Sequence, residues 1–311
     1  MRYAEYPRAE RVLLHLSDTH LRAGGAPLYD GVDSEAYLAR AVASIEASGL
    51  RPHALVFTGD LADFGEADAY ARVRALVEPL AERLDTRVVW VMGNHDERSA
   101  FREALLPDDV AEKAAPVDRV DEFDGLRIVT LDTSVPGAHH GEVTAAQRAW
   151  LADVLSTPAP LGTILAMHHP PVPSVLDLAA SVELRDQRDL ADVLRGSDVR
   201  AILAGHLHYS TFATFAGIPV SVASATCYTQ DLMVPVGGTR PQDAAQGFNI
   251  VHVYDETIVH SVVPLAASEA LQYVDAEESQ RRLRDAGIVV PTSRALSGRV
   301  SPPTTPIPIL H

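Results

Sequence analysis

The sequence is poor in the features that mark secreted, membrane-spanning and nucleic-acid-binding proteins. It has one cysteine in 311 residues, so no intrachain disulfide is available and a reducing cytoplasm is the expected compartment. No apolar run approaches the roughly 20 residues of a membrane span, and residues 1–11 lack the apolar core of a signal peptide. A net charge of −16 disfavours binding to a nucleic-acid polymer. These absences predict a cytoplasmic protein with no transmembrane segment, and they leave peripheral membrane contact open.

What remains is an ordinary globular composition, with 47% hydrophobic and 22% charged residues. The length suits one large domain or two small ones and allows a sizeable core. The acidic balance does not exclude a small phosphate ester as substrate, because bound metal ions reverse the charge locally.

Short apolar runs, many rich in β-branched residues, alternate with helical patterns. Each run that ends in a polar or glycine-containing turn is a candidate strand. The candidates are 12–16, 54–57, 88–92, 126–131, 163–167, 201–204, 218–222, 248–253 and 257–263. The alternation predicts an α/β fold, and the continuous apolar strands predict sheets covered on both faces. Taken alone, this pattern favours a single doubly wound sheet.

Three helices are predicted between these strands. The first covers about 33–47, and the second carries apolar residues at spacings of three and four from Tyr70 to Leu84. Pro79 should kink or interrupt the second helix, because proline lacks the N–H of a helical hydrogen bond. The third covers 144–155, with Thr144 as its N-cap.

The character of the chain changes after Pro264. We predict a catalytic domain over 1–265, a helical extension over 266–290 and a flexible, proline-rich tail over 291–311. Asp275 with Glu278 resembles a helix-capping pair, and Gly287 would end that helix. Docking of the tail to a partner or a membrane surface is the alternative to simple disorder.

The polar residues that follow the strands form the chemical signal of the sequence. Because they all follow strands, they should meet at one edge of a sheet, where open α/β sheets bind ligands. They are Asp18, His20, Asp60, Asn94, His95, His168, His206 and His208. Carboxylates, imidazoles and an amide oxygen together suit manganese, iron or zinc. Without His95, seven such ligands remain, which exceed one tetrahedral zinc and fit two metals about 3.5–4 Å apart that share a carboxylate.

The local spacing has a proposed reason in each case. In Asp18-x-His20 and His206-x-His208, an extended backbone would put both side chains on the same side. A glycine precedes three of the ligands, where it permits a tight turn and close backbone approach. These glycines are Gly59, Gly93 and Gly205.

The motifs, in this order, resemble those of the calcineurin-like metallophosphoesterases. The finer stretches resemble most closely the actinobacterial class III cyclic nucleotide phosphodiesterases, and the resemblance spans about 12–263. The matching stretches are Leu14–His20, Phe57–Asp63, Trp90–Asp96, His168–Pro171 and Ala204–Ser210. The resemblance implies an αββα sandwich of two mixed β-sheets flanked by helices, and it suggests a homodimer.

The resemblance also implies two metal ions, divalent or trivalent. Iron and manganese are expected first, with zinc, magnesium or cobalt as alternatives. One ion would be held by Asp18, His20, Asp60 and His208 and the other by Asp60, Asn94, His168 and His206, with Asp60 as the bridge.

The expected reaction is attack on phosphorus by a metal-bridged hydroxide. His95 would protonate or stabilise the leaving oxygen, Asp96 would orient the His95 ring, and Asn94 would offer amide hydrogens to the phosphate. Catalysis is thus assigned to His95 and Asn94. The residues expected to contact substrate are His20, Asn94, His95, His208 and His140, with His139 as the other candidate of the His139–His140 pair.

Other polar residues favour structural roles. His15 is expected in the core, Asp63 and His169 beside the ligands, Asp132 in a structural role and Cys227 packed and unreactive.

Three functions are in competition. The first is hydrolysis of 3′,5′-cyclic nucleotides, cyclic AMP and also cyclic GMP, to 5′-monophosphates. The second is a broader phosphodiesterase that prefers 2′,3′-cyclic nucleotides or other diesters. The third is a membrane- or partner-recruited regulator that acts through its tail. The complete ligand set disfavours a pure scaffold, and the absence of basic clusters in 172–184 disfavours a lipid-linked pyrophosphate substrate.

Overall fold

The computed structural model of the chain describes residues 2–29, 31–109, 111–266 and 269–292, and two large β-sheets form its centre. The strands are β1 Arg2–Tyr3, β2 Arg11–Leu16, β3 Ala54–Thr58, β4 Arg87–Val91, β5 Arg119–Phe123, β6 Leu126–Leu131, β7 Thr163–Met167, β8 Val199–Ala204, β9 Thr211–Phe215, β10 Ile218–Val222, β11 Thr229–Gln230, β12 Pro241–Gln242, β13 Gly247–Val253, β14 Ile258–Pro264 and β15 Ile288–Val289. The α-helices are α1 Ser34–Ser48, α2 Ala67–Leu84, α3 Arg98–Leu105, α4 Ala145–Leu155, α5 Gln187–Leu194 and α6 Ala276–Asp285.

Both large sheets are mixed. One has the order β14-β13-β2-β3-β4, in which β2, β3 and β4 are parallel and β13 and β14 are antiparallel. The other has the order β5-β6-β7-β8-β10-β9, with parallel pairing from β6 to β10 and an antiparallel strand at each edge. The predicted αββα sandwich is therefore confirmed, and the single doubly wound sheet is wrong.

Three apolar layers hold the sandwich together. Leu14 of β2 packs in the layer under α1, α2 and α3, whereas its neighbour Leu13 faces the layer between the two sheets. Leu165 and Ile164 of β7 divide in the same way between the layer under α4 and α5 and the layer between the sheets. Because each inner strand buries both faces, its sequence is continuously apolar.

Helix α2 runs without a break through Pro79, so the predicted interruption is not found. Proline inside a helix costs about 3 kcal/mol. The helix buries Tyr70, Val73, Val77 and Leu80 against the sheet, and each fully buried apolar side chain contributes about 1.5–3 kcal/mol. Burial of this face therefore outweighs the proline, and the helix ends only at Asp85.

The other predicted helix ends are found where the sequence places them. The Asp33 side chain accepts a hydrogen bond from the Ala36 N–H at the start of α1. Thr144 and Gln147 form a reciprocal capping box at the start of α4. The Asp275 side chain accepts from the Glu278 N–H at the start of α6.

The segment after β14 returns to the start of the chain. β15 pairs in parallel with β1, and the carbonyl of Pro291 accepts a hydrogen bond from the Arg8 N–H. Of the predicted tail over 291–311, residues 293–311 lie outside the described residues. Among the described residues, no helix has the length and apolarity needed to cross a bilayer.

Candidate metal centre

The loops that follow five parallel strands meet at one edge of the sandwich, as predicted. β2 leads to Asp18 and His20, β3 to Asp60, β4 to Asn94, β7 to His168 and β8 to His206 and His208.

The backbone at these loops is not extended, so the alternation argument for the two x-spaced pairs is wrong. Five of the polar residues adopt positive φ, a conformation that costs a non-glycine residue of order 1–3 kcal/mol. They are Asp18 (53°), His20 (44°), Asp60 (51°), His206 (72°) and His208 (56°). Hydrogen bonds between loops support this backbone, for example from Asp18 N–H to the Gly59 carbonyl at 3.0 Å. The side chains converge because backbone hydrogen bonds between neighbouring loops hold these conformations.

All three glycines are required by space. A Cβ on Gly93 would lie 2.2 Å from Asp60 Oδ1, and a Cβ on Gly205 would lie 1.8 Å from Ser17 Oγ. Gly59 needs both space and its positive φ of 94°, since a Cβ there would lie 2.6 Å from His168 Nδ1.

Four histidines each donate their outer ring hydrogen to a protein oxygen. The pairs are His20 Nδ1 with Asp63 Oδ1 (3.1 Å), His168 Nδ1 with Thr58 O (2.7 Å), His206 Nε2 with Val182 O (3.0 Å) and His208 Nδ1 with Tyr228 O (3.0 Å). A carbonyl or carboxylate oxygen only accepts, so each neutral ring carries its free lone pair on the other nitrogen. Outer hydrogen bonds of this kind orient histidines that bind metals.

The inward nitrogens of His168 and His206 lie in one group of donor atoms. His168 Nε2 is 3.2 Å from Asp60 Oδ2, 3.1 Å from Asn94 Oδ1 and 3.2 Å from His206 Nδ1. Ligand atoms about 2.0–2.2 Å from a shared ion at tetrahedral or octahedral angles lie about 3–3.5 Å apart. This group therefore has the spacing of one coordination shell.

The inward nitrogens of His20 and His208 lie in a second group. They are 3.1 Å apart, His20 Nε2 is 3.5 Å from Asp60 Oδ2, and His208 Nε2 is 3.4 Å from Asp18 Oδ1. The two nitrogens are close enough to bind one cation together as ligands. Asp60 Oδ2 is common to both groups, so the donor set fits two ions with a bridging carboxylate.

The electrostatics favour carboxylates that stay ionised. Burial raises the pKa of Asp18, but the neighbouring His208 lowers it more, to about 2. Burial lowers the pKa of His168, but Asp60 raises it more, to about 9. The pKa of His206 falls to about 3 through burial and the nearby His168. The centre thus holds anionic oxygens beside imidazoles, and a metal ion bound at His168 would replace the proton that the raised pKa favours. Manganese, iron and zinc bind donors of these kinds.

Asp63, rather than Asp96, lies against the His95 ring, so the predicted partner of His95 is wrong. His95 Nδ1 is 2.8 Å from the Asp63 carbonyl and 3.8 Å from Asp63 Oδ1. The Asp96 carboxylate instead accepts hydrogen bonds from its own turn, from the neighbouring loop and from α2. It accepts from Gly93 N–H, Leu61 N–H, Ala62 N–H and the Tyr70 hydroxyl. The His95 N–H donates to Asp60 Oδ1 at 2.8 Å.

Of the His139–His140 pair, the structure places His139 at the centre. His139 Nδ1 is 3.2 Å from Asn94 Nδ2, whereas His140 Nε2 is 3.0 Å from Glu142 Oε1 and does not line the cleft. His169 packs its ring 4.4 Å from that of His206, and both of its ring nitrogens have protein partners.

The residues expected to be structural lie in the interior. His15 is fully buried with Nε2 2.9 Å from Thr58 Oγ1, and Asp132 binds Arg98 and the Val117 N–H. Burial raises the pKa of the Cys227 thiol, which lies close to His20 and His208.

A cleft of about 420 Å³ opens beside the donor groups. His20, Asp60, Asn94, His95, His139, His206 and His208 line its floor. The rest of the lining includes the apolar residues Leu176, Leu178, Ala179 and Val182 and the polar residues Ser181, Tyr228, Gln230 and Thr239. Tyr228 and Gln230 were not predicted from the sequence, because they follow the last motif by about 20 residues and have no motif of their own.

Replacing Gly205 with alanine is expected to lower stability and metal content together. The added methyl would overlap Ser17 Oγ and Asp18 Oδ2, and overpacking of this kind costs about 1–3 kcal/mol. Thermal unfolding and metal analysis of Gly205→Ala measure both effects. Gly31→Ala is the control, since its Cβ would come no closer than 3.9 Å to the Tyr29 carbonyl. Equal behaviour of the two variants would contradict the close-packing explanation.

The sequence is similar to those of known proteins. The family model for calcineurin-like phosphoesterases matches residues 12–210. A probable cyclic nucleotide phosphodiesterase of Rhodococcus erythropolis is 63% identical, over 93% of this chain and 95% of its own length. A cAMP/cGMP dual specificity phosphodiesterase of Mycobacterium tuberculosis is 59% identical, over 97% of this chain and 95% of its own.

Solved structures agree on the fold. A dimetal phosphatase from Danio rerio superposes with a TM-score of 0.62 at 16% identity, over 86% of this chain and all of its own. The family match, the sandwich and the convergence of carboxylates and imidazoles at its edge lead to one assignment: this chain belongs to the calcineurin-like phosphoesterase family.

Proposed function

We propose that this protein is a metal-dependent phosphodiesterase that hydrolyses 3′,5′-cyclic nucleotides to 5′-monophosphates. The observation that carries the proposal is the pair of donor groups joined at Asp60 Oδ2, 3.2 Å from His168 Nε2 and 3.5 Å from His20 Nε2. The substrate follows from two relatives, at 63% and 59% identity over nearly their whole length, whose names describe cyclic nucleotide phosphodiesterases.

The seven residues would hold two ions in the arrangement that the sequence implied. One group is Asp18, His20, Asp60 and His208, and the other is Asp60, Asn94, His168 and His206. Two such ions supply an activated water at neutral pH and neutralise the charge of the phosphoryl oxygens.

His95, which lies beside the donor groups, and Asn94, which belongs to one of them, act on the substrate in this proposal. The Nδ1–H of His95 donates a hydrogen bond to the Asp63 carbonyl, so Nε2 is the free ring nitrogen. The His95 side chain lines the cleft. In the doubly protonated ring, Nε2 donates a proton to the 3′ oxygen as it leaves, and the product is a 5′-monophosphate. Asn94 turns its oxygen to His168 and offers its amide hydrogens on the side of His139 to a phosphoryl oxygen.

A kinetic panel tests the proposal. The protein, reconstituted separately with manganese, iron and zinc, is assayed on 3′,5′-cyclic AMP, 3′,5′-cyclic GMP, their 2′,3′ isomers and glycerophosphodiesters. We expect the highest kcat/KM on the 3′,5′ isomers. A preference for the 2′,3′ isomers or another diester would replace this function with the broader one, and no turnover of any cyclic nucleotide would reject both cyclic-nucleotide assignments.

Several finer statements stay predictions from the sequence. They are the iron and manganese pair, the homodimer, the cytoplasmic location with peripheral membrane contact, and recruitment through the tail.

A further inference from the structure

We infer that the cleft contains a purine subsite in which the amide of Gln230 recognises the edge of the base. The inference rests on the proposed function, because it concerns the nucleotide whose phosphate the metal centre would bind. It adds the residue that distinguishes a purine nucleotide from other phosphodiesters.

Gln230 is fixed directly to the metal centre. It ends β11, whose short antiparallel pairing with β12 sets it opposite Pro241. Its N–H donates a hydrogen bond to the carbonyl of His208 at 3.1 Å. The position of the Gln230 side chain in the cleft is therefore coupled to that of a proposed metal ligand.

The Gln230 amide lacks a protein partner. Its Oε1 is buried yet has no hydrogen-bond partner among the residues that the structure describes. A buried amide without a partner is unfavourable, and a ligand that bonds to it removes the penalty. Rotation about the terminal side-chain bond exchanges the oxygen and the nitrogen, so the amide can present either a donor or an acceptor to the cleft.

A mainly apolar part of the cleft lining is joined to His206, the other histidine of the His206-x-His208 pair. The carbonyl of Val182 accepts from His206 Nε2 at 3.0 Å, and this bond ties the 3₁₀ turn Asp177–Val182 to the centre. That turn and the residue before it supply Leu176, Leu178 and Ala179 to the cleft. Leu178 is 67% exposed, so a large apolar surface beside the centre is open to a ligand.

The Gln230 amide and the apolar residues around Leu178 match the chemistry of a purine. Its ring faces are apolar, and its edge carries adjacent donors and acceptors. Adenine presents an acceptor at N1 beside a donor at N6, and guanine presents a donor at N1 beside an acceptor at O6. One amide pairs bidentately with either edge after rotation. Gln230 and Thr239 are uncharged, which suits a neutral base. A glycerol group has no apolar ring to pack against Leu178, so a glycerophosphodiester would leave that apolar surface uncovered.

The first test uses two substitutions at the same position. The first variant, Gln230→Leu, is assayed on cyclic AMP and on bis(4-nitrophenyl) phosphate, which has no base. The ratio of kcat/KM on cyclic AMP to kcat/KM on bis(4-nitrophenyl) phosphate should fall about 5- to 150-fold, which is the range for one bidentate base contact. The fall should come mainly from a higher KM for cyclic AMP. In Gln230→Glu, the carboxylate accepts from guanine N1–H and N2–H and opposes adenine N1, so the ratio of cyclic GMP to cyclic AMP turnover should rise at least tenfold. Gln280→Glu, on the exposed surface of α6, is the control and should match the native protein.

A binding measurement separates this inference from the proposed function. Calorimetry compares 5′-AMP, 5′-GMP and ribose 5-phosphate with the native protein and with Gln230→Leu. The subsite is supported if the native protein binds the two nucleotides more tightly than ribose 5-phosphate and Gln230→Leu loses this difference. That result would stand even if no cyclic nucleotide is hydrolysed and the proposed function fails. Equal binding of all three ligands, or a nucleotide preference that survives Gln230→Leu, rejects the subsite even if the hydrolase activity is found.

Discussion

Asp60→Ala is expected to lose bound metal and phosphodiesterase activity together, with the largest effect of any single substitution considered. Asp60 Oδ2 is the atom common to both donor groups, and Oδ1 accepts the His95 N–H that holds the neighbouring turn. Mutation of the outer partners of metal ligands typically lowers metal affinity or activity about 10- to 100-fold. Removal of a bridging ligand should exceed that range, because it weakens both ions at once.

Metal analysis and turnover of the purified variant measure this result. Asp132→Asn is the matched control, because Asp132 also follows a strand of the sandwich but binds Arg98 and the Val117 N–H instead. We expect the control to unfold at a lower temperature and to keep its metal. Two ions per chain and full turnover in Asp60→Ala would contradict the role of Asp60 as the ligand shared by the two ions.

The strand pattern predicts that both faces of a strand are buried, but it does not predict what covers each face. The sequence predicts that β2 is buried on both faces, and Leu13 and Leu14 do lie in different apolar layers. A strand covered by a second sheet and a strand covered by helices have the same apolar pattern, so the pattern does not separate a sandwich from a doubly wound sheet. The family resemblance made that distinction.

The convergence of the candidate ligands was predictable for a related reason. These residues follow strands that end at one edge, so the order of the motifs alone brings them together. The backbone that does so was not predictable, because the positive φ of Asp18 and His206 depends on bonds between distant loops. The N–H of His206, for example, lies 3.1 Å from both carboxylate oxygens of Asp18, 188 positions away.

Neighbours in sequence were a poor guide to neighbours around His95. Asp96 follows it directly, yet the turn directs the Asp96 carboxylate to backbone N–H groups of Gly93 and Leu61. Asp63, from another strand end, occupies the place behind the ring. Gln230 is a stronger case, since the bond from its N–H to His208 O and its pairing with Pro241 are contacts between residues that no motif connects.

His95→Ala should keep its metal and lose turnover in a manner that depends on the leaving group. The side chain is outside both donor groups, and its backbone N–H, which binds Asp60, is unchanged by the substitution. Loss of a general acid typically costs about 100- to 10,000-fold. The full loss should appear on 3′,5′-cyclic AMP, whose 3′ alkoxide needs a proton to leave. A smaller loss should appear on bis(4-nitrophenyl) phosphate, whose leaving group is stable as an anion.

His139→Ala is the control for this prediction, because its ring lines the same cleft 5.4 Å from that of His95 and contacts Asn94. It should lower turnover of the two substrates by similar factors, since it lies beside a phosphate contact and not in the path of the leaving oxygen. Parallel assays of both variants with metal analysis decide the role of His95. An equal loss on both substrates would assign His95 to phosphate binding, and a loss of metal would assign it to support of Asp60. Only a leaving-group dependence with intact metal is explained by a proton that passes from Nε2, the ring nitrogen that the Asp63 carbonyl leaves free.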